Sequence, residues 1–201
     1  MWTAWESCVA TRPSTLTTGD GLKTICAQSR DACGNLSTET CDDITLDTTA
    51  PSAPTITINA GASCTNSLAV TLSLSATGAA EMRVRNYLGT WGAWEAYANS
   101  KPWTLPSGDG TKTVCAQYRD ACGNMSAEVC DSITLDTVAP SAATISINGG
   151  ASCATSTSIT LTLSATGASE MHLRNDPGSY GLWEAYATSK PWTLPSGDGT
   201  K

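Results

Sequence analysis

Residues Gly108–Asn124 read GDGTKTVCAQYRDACGN, and Gly19–Asn35 read GDGLKTICAQSRDACGN. The two stretches lie 89 residues apart, and a third copy begins at Gly197 and runs to Lys201. Each opens on a glycine-rich turn, alternates apolar with polar residues, and closes on a second turn, D-A-C-G-N. That is a strand leading into a hairpin. Its recurrence at one fixed spacing makes the chain a repeat array, and the repeat decides how the remaining residues are read.

Trp5, Trp94 and Trp183 share the spacing of 89. Trp94–Lys112 matches Trp183–Lys201 at 18 of 19 positions, and Thr24–Cys64 matches Thr113–Cys153 at 31 of 41, with no insertion between copies. Between the copies of the opening stretch lie TITINA and TISING, which alternate Ile with Thr, Ser or Asn. AVTLSLSAT and SITLTLSAT alternate in the same way. Period two marks strands with one buried face. EMRVRN and DSITLDT add further strands, separated by NGGAS, PSGDG and DTVAPSA, which are turn and linker chemistry. About seven short strands per unit, without helical periodicity, predict an all-β fold of tandem immunoglobulin-like β-sandwiches. The A-P-S-A after each L-D-T reads as a stiff junction. It divides the chain into 1–49, the C-terminal part of one repeat; 50–138, a complete repeat; and 139–201, the N-terminal part of a third.

Composition excludes several functions. The formal charge of −7 and pI near 4.5 leave no basic face for nucleic acid. No apolar run approaches the ~20 residues of a membrane span. The opening MWTAWESC lacks the basic start and apolar run of a signal peptide, which for an extracellular protein places it inside a longer polypeptide. No nucleophile elbow, phosphate loop or carboxylate pair is present, and the one histidine, His172, stands in the slot of Arg83, expected to be an exposed strand position. The chain reads as a non-enzyme without a resident cofactor.

The segment GDGTKTVCAQYRDACGNMS…CDSITLDTVAPSA resembles the immunoglobulin-like or fibronectin-III-like repeats of large bacterial extracellular, adhesin-like surface proteins, whose units carry a DGTKTVYVQFRDAAGN…ITLDTTAP pattern. The resemblance spans the whole chain. It implies a structural role as stalk, surface fibre or adhesin shaft at the cell surface, with neighbouring repeats or copies of itself as partners. The chain departs from that pattern at its cysteines.

Those cysteines number nine: Cys8, then Cys26, Cys33, Cys41 and Cys64, then Cys115, Cys122, Cys130 and Cys153. No C-x-x-C occurs, so zinc-site spacing is missing, and disulfides in an oxidising compartment are the preferred reading. If Ala116 and Tyr118 point inward, Cys115 points outward; if Ile133 and Leu135 point inward, so does Cys130 point outward. The hairpin between them sets 115 opposite 130, and directly opposed side chains have Cβ atoms ~4.5–5.5 Å apart, near the reach of a disulfide. Cys26 and Cys41 repeat the arrangement. Cys33 and Cys122 at hairpin tips, and Cys64 and Cys153 between strands, are expected at opposite poles of their units, as inter-domain or inter-subunit disulfides or as free surface thiols.

Weaker constellations remain. Asp47, Asp120 and Asn124, with Glu81 nearby, could hold calcium at a junction, or Asp and Asn could simply stabilise their own turns. Asn35 and Asn124 open N-x-S sequons. Trp91, Trp94 and Trp103, with Trp2, Trp5, Trp183 and Trp192, could form a sugar-stacking face, the basis of an alternative reading as a glycan-binding module, or could be core and rim packing. The three segments are also complementary: strands absent from 139–201 correspond to those beginning at Thr24, so a filament or a much longer chain is expected.

Overall fold

A computed structural model describes residues 4–197 and Gly199. The described chain is all-β, apart from one 3-10 turn at Asn59–Gly61. It divides into two compact units, Met1–Asp136 and Thr137–Lys201.

The first unit begins with an antiparallel ribbon of β1 (Gly21–Ala27) and β2 (Thr40–Leu46). A sandwich of two sheets follows. One sheet has the order β3 (Ser52–Ile58), β5 (Ala69–Thr77), β8 (Ser100–Thr104). The other has the order β4 (Cys64–Thr65), β10 (Val129–Leu135), β9 (Gly110–Arg119), β6 (Glu81–Asn86), β7 (Glu95–Ala96). The second unit holds a three-stranded sheet of β11 (Ser141–Ile147), β12 (Ser158–Thr166) and β15 (Ser189–Thr193), and a small pair of β13 (Glu170–Met171) and β14 (Glu184–Ala185). Its registers repeat those of the first unit at +89: Ile145 faces Leu163 as Ile56 faces Leu74, and Ile159 faces Trp192 as Val70 faces Trp103.

Sequence alternation becomes layering. On β5, Val70, Leu72, Leu74 and Ala76 are buried, while the Thr and Ser between them are exposed. Ile56 and Ile58 on β3, Met82 and Val84 on β6, Val114, Ala116 and Tyr118 on β9 and Ile133 on β10 meet them from the other strands, with Leu105 buried nearby. Tyr118 is fully buried, donates its hydroxyl to the Thr55 carbonyl at 2.6 Å, and meets Tyr97 edge-on at 6.0 Å between centroids. Burial, and secondarily Tyr97, pushes its phenol up to about 12.

The turn after β3 explains a residue choice. Asn59 sits at φ 47 and its Oδ1 accepts the Thr71 amide at 2.9 Å; Asn148, at φ 46, does the same for Thr160. Asparagine tolerates the left-handed region and supplies the acceptor that the turning backbone cannot.

The ribbon leaves its apolar face exposed, and the second unit leaves part of its own, with Ile145 and Ile147 59% and 38% exposed while Ile159 and Leu161 are 4%. Ile25 and Ile44 are 47% and 56% exposed, whereas Val114 and Ile133, 89 residues on, are 0% and 1%. The 1–49 segment groups with the complete sandwich, and the other division falls at Asp136, two residues before the expected 138.

Candidate functional site

The outer face of the five-stranded sheet carries the most organised side-chain cluster among the described residues. Alternation that turns Met82 and Val84 inward turns Glu81, Arg83 and Arg85 outward, and the pairing of Glu81 with Arg119 brings a third arginine to the same face. The loop after β6 then lays two tryptophans across them. Arg85 stacks on Trp91 at 4.5 Å, Arg83 lies over Trp91 at 4.8 Å and over Trp94 at 4.5 Å, and Arg119 stacks on Trp94 at 4.5 Å. Five layers alternate Arg-Trp-Arg-Trp-Arg.

Each cation is also held from the side. Arg85 contacts both Glu128 oxygens at 2.8 and 3.0 Å, Arg83 donates to Gln117 Oε1 at 3.1 and 2.6 Å, and Arg119 Nε lies 2.5 Å from Glu81 Oε2. Both faces of Trp91 and Trp94 are thus taken by guanidinium groups, which leaves no ring face for a sugar. Sequence reasoning considered the tryptophans but not Arg83, Arg85 and Arg119. The available signal was the R-x-R spacing on a strand followed by W-x-x-W.

Parts of the ladder recur in both other segments. Arg30 stacks on Trp5 at 4.4 Å, in the slots of Arg119 and Trp94. In the second unit Arg174 lies over Tyr180 at 5.0 Å, and His172 is sandwiched between Tyr180 and Trp183 at 4.0 and 3.9 Å. His172 is therefore a ladder rung, not the bare surface position expected, because an imidazole can stack where Arg83 does. Trp103 and Trp192 belong elsewhere: each donates its indole N–H at 2.8 Å, to Asn86 and Asn175. A shallow depression of about 450 Å³ lies beside Trp103, and one of about 470 Å³ beside Trp192. Trp2 lies outside the described residues.

Cys26 is bonded to Cys41 and Cys115 to Cys130, with Cα atoms 4.0 and 4.1 Å apart. Each pair sits directly opposite in its ladder. Cys115 is on the outer face, yet it is fully buried, with Arg85 as its strand partner on the other side. Outward direction did not mean exposure, because the arginine ladder roofs this face. Glu39 and Glu128 approach the bonded pairs, and these two clusters are the metal-capable groupings of His, Cys, Asp or Glu among the described residues; their sulfurs are already spent on disulfides. Cys8, Cys33, Cys64, Cys122 and Cys153 are exposed thiols. Cys64 pairs with Thr134 near the end of β10, while Cys122 lies in the turn before that strand begins, so the two occupy opposite ends of the sandwich.

That turn is built on Asp120. Its Oδ1 accepts the amides of Cys122 and Asn124 at 2.9 Å each, and its Oδ2 accepts the Asn124 side-chain amide at 2.8 Å. Asp31 is served identically by Cys33 and Asn35. These bonds, the one from the asparagine side chain first, hold both carboxyls below the usual range. Asn124 also donates to the Asp47 carbonyl at 3.0 Å. Asp47, Asp120 and Asn124 do converge, but through N–H donors that satisfy the oxygens, while the Asp47 carboxylate accepts Thr49 N–H at 3.0 Å. Both sequon amides, on Asn35 and Asn124, are engaged in the same way.

No protein-family model matches the chain, and neither does any curated protein. No helix among the described residues is long and apolar enough to cross a membrane.

Proposed function

We propose that the chain is a segment of a structural, disulfide-braced array of tandem immunoglobulin-like repeats, acting as a stalk, fibre or shaft outside the cell. The observation that carries this reading is the hydrogen bond from the Asn124 amide to the Asp47 carbonyl. It ties a hairpin tip to the segment leading into its own sandwich. The same hairpin is closed by the Cys115–Cys130 bond and roofed by the ladder, so a load along the chain meets a stapled element. Disulfides of this kind fit an oxidising compartment. The chemistry favours rigidity over turnover: carboxylates are spent on turns and arginines, and the one described imidazole is spent on stacking.

Peptide mapping of the unreduced protein checks the brace. Links 26–41 and 115–130 are expected; free thiols at all four positions would overturn it.

A second reading, glycan binding, is favoured by the depression beside Trp103, lined by Val70, Lys101 and Pro102, and repeated beside Trp192. Binding on a glycan array that is lost in Trp103→Ala would transfer the assignment to that reading.

A further inference from the structure

The ladder holds one donor that the fold leaves unused. Arg85 gives one terminal nitrogen to Glu128 at 2.8 and 3.0 Å and the other to the Gly89 carbonyl at 3.2 Å. Its Nε is buried and has no hydrogen-bond partner among the described residues. A buried N–H of a cation without an acceptor is costly, so what lies beside it matters.

A disulfide lies beside it. Arg85 on β6, Cys115 on β9 and Cys130 on β10 stand in one row across three neighbouring strands. Glu128 Oε1 lies 3.6 Å from Cys130 Sγ, so to reach Glu128 the Arg85 side chain crosses β9 on the face that carries Cys115. The two sulfurs are therefore unlike. Cys115 is 0% exposed, and on the side away from Cys130 it has Arg85, itself stacked on Trp91. Cys130 is exposed, and among the described residues no strand pairs beside it on the far edge of β10, since β4 joins β10 only at Thr134 and Leu135.

Such asymmetry gives thiol–disulfide exchange a direction. The attacking thiolate approaches in line with the S–S bond, and the other sulfur leaves as a thiolate, faster where that thiolate is stabilised. Arg85 and Trp91 block the line to Cys115, whereas the line to Cys130 runs over the open edge of β10. A thiolate on Cys115 forms beside a guanidinium with an unused N–H, a setting that favours the charged sulfur.

We infer that Cys130 is a site of S-thiolation by a low-molecular-weight thiol, with Cys115 as the leaving group and Arg85 Nε as the hydrogen-bond donor to it. The incoming thiol first loses its proton to water. Its sulfur then bonds to Cys130 Sγ, the Cys115–Cys130 bond breaks, and the electron pair of that bond stays on Cys115 Sγ. One disulfide replaces another, so no oxidant is consumed. Return attack by the Cys115 thiolate on Cys130 expels the small thiol and restores the link, which makes the modification reversible. The step requires the 115–130 link and is independent of whether the chain serves as a stalk or binds glycans.

Reduced glutathione is the probe. The native full chain is exposed to an excess of it, quenched in acid at early times, cut with pepsin and mapped by mass spectrometry. Adduct on Cys130 should exceed adduct on Cys115 by about tenfold or more. Arg85→Gln should slow formation of the Cys130 adduct by about tenfold, and Arg85→Lys, which keeps a cation, should recover most of the rate. Were Arg85 only a roof, Arg85→Gln would uncover the bond and speed the reaction. Near-ultraviolet circular dichroism checks that each variant keeps the sandwich, and the adduct ratio in the wild type needs no variant. Adduct shared equally or mainly on Cys115, an unchanged or faster reaction in Arg85→Gln, no recovery in Arg85→Lys, or no adduct on either cysteine would overturn the assignment. The 115–130 link is mapped separately in the unreduced protein, so failure of the exchange is distinguishable from failure of the brace.

Discussion

Tyr118 is the side chain on which the two sheets of the sandwich close. It is fully buried on β9, yet its hydroxyl reaches across to the Thr55 carbonyl on β3, so one residue supplies both apolar bulk and a cross-sheet hydrogen bond. The ordinary phenol value of 10.0 is raised to about 12 by burial. The neutral form is therefore favoured in the fold. Its contribution to stability is complete below pH 10 and is lost as pH rises through about 12. Denaturant melts from pH 9 to 12 should show the midpoint falling above pH 10, with ultraviolet absorbance reporting phenolate at the same point. In Tyr118→Phe the fall should shrink, while stability at neutral pH drops by about 1–3 kcal/mol as the Thr55 carbonyl loses its donor. A midpoint equally pH-dependent in both proteins would show that Tyr118 is not the group responsible.

Elements on the outer face act as a laminate. Arg83 is the central layer, stacked on both tryptophans. Stacked cations at partly exposed positions contribute about 0.5–1 kcal/mol each. Arg83→Gln keeps a polar side chain facing Gln117 but removes two stacks, so the sandwich should lose about 1–2 kcal/mol. That is a fall in Tm of about 4–8 °C per kcal/mol for a domain of this size. Calorimetry reads the first effect, and tryptophan fluorescence reads the loosening of Trp91 and Trp94. An unchanged Tm would show that the stacks add nothing. The laminate also marks the limit of the sequence. The inward strand faces were legible because Val70, Leu72, Leu74 and Ala76 alternate strictly with Thr and Ser, and the Cys115–Cys130 register followed from counting outward residues along two strands. The ladder was not legible, since it depends on how the loop carrying Trp91 and Trp94 folds back over β6, and no periodicity encodes a loop path. Hence the burial of Cys115 and the stacking of His172 were missed together. The Asp47, Asp120 and Asn124 cluster was located correctly in space, but whether an amide or a cation fills it depends on side-chain rotation that spacing does not specify.

Across the whole molecule one theme recurs: hairpins closed by a covalent bond, tips tied by an asparagine, and apolar faces that match at a spacing of 89 residues. In the chain-entropy view, a bridge spanning a loop of about 15 residues contributes about 3 kcal/mol. In the load-bearing role proposed above, the larger consequence is mechanical, because residues inside a bridged loop cannot be extended. Single-molecule force extension of the full chain, before and after reduction, reads that constraint. The sandwich should unfold as one cooperative event. Its released length should grow on reduction by about 50 Å, because Cys115 and Cys130, at a sequence separation of 15, are then joined by chain that extends ~3.3–3.6 Å per residue. The force at unfolding should fall in the same step. Equal released lengths in the two redox states, or extension without a discrete unfolding event, would show that the bridged hairpin does not brace the sandwich.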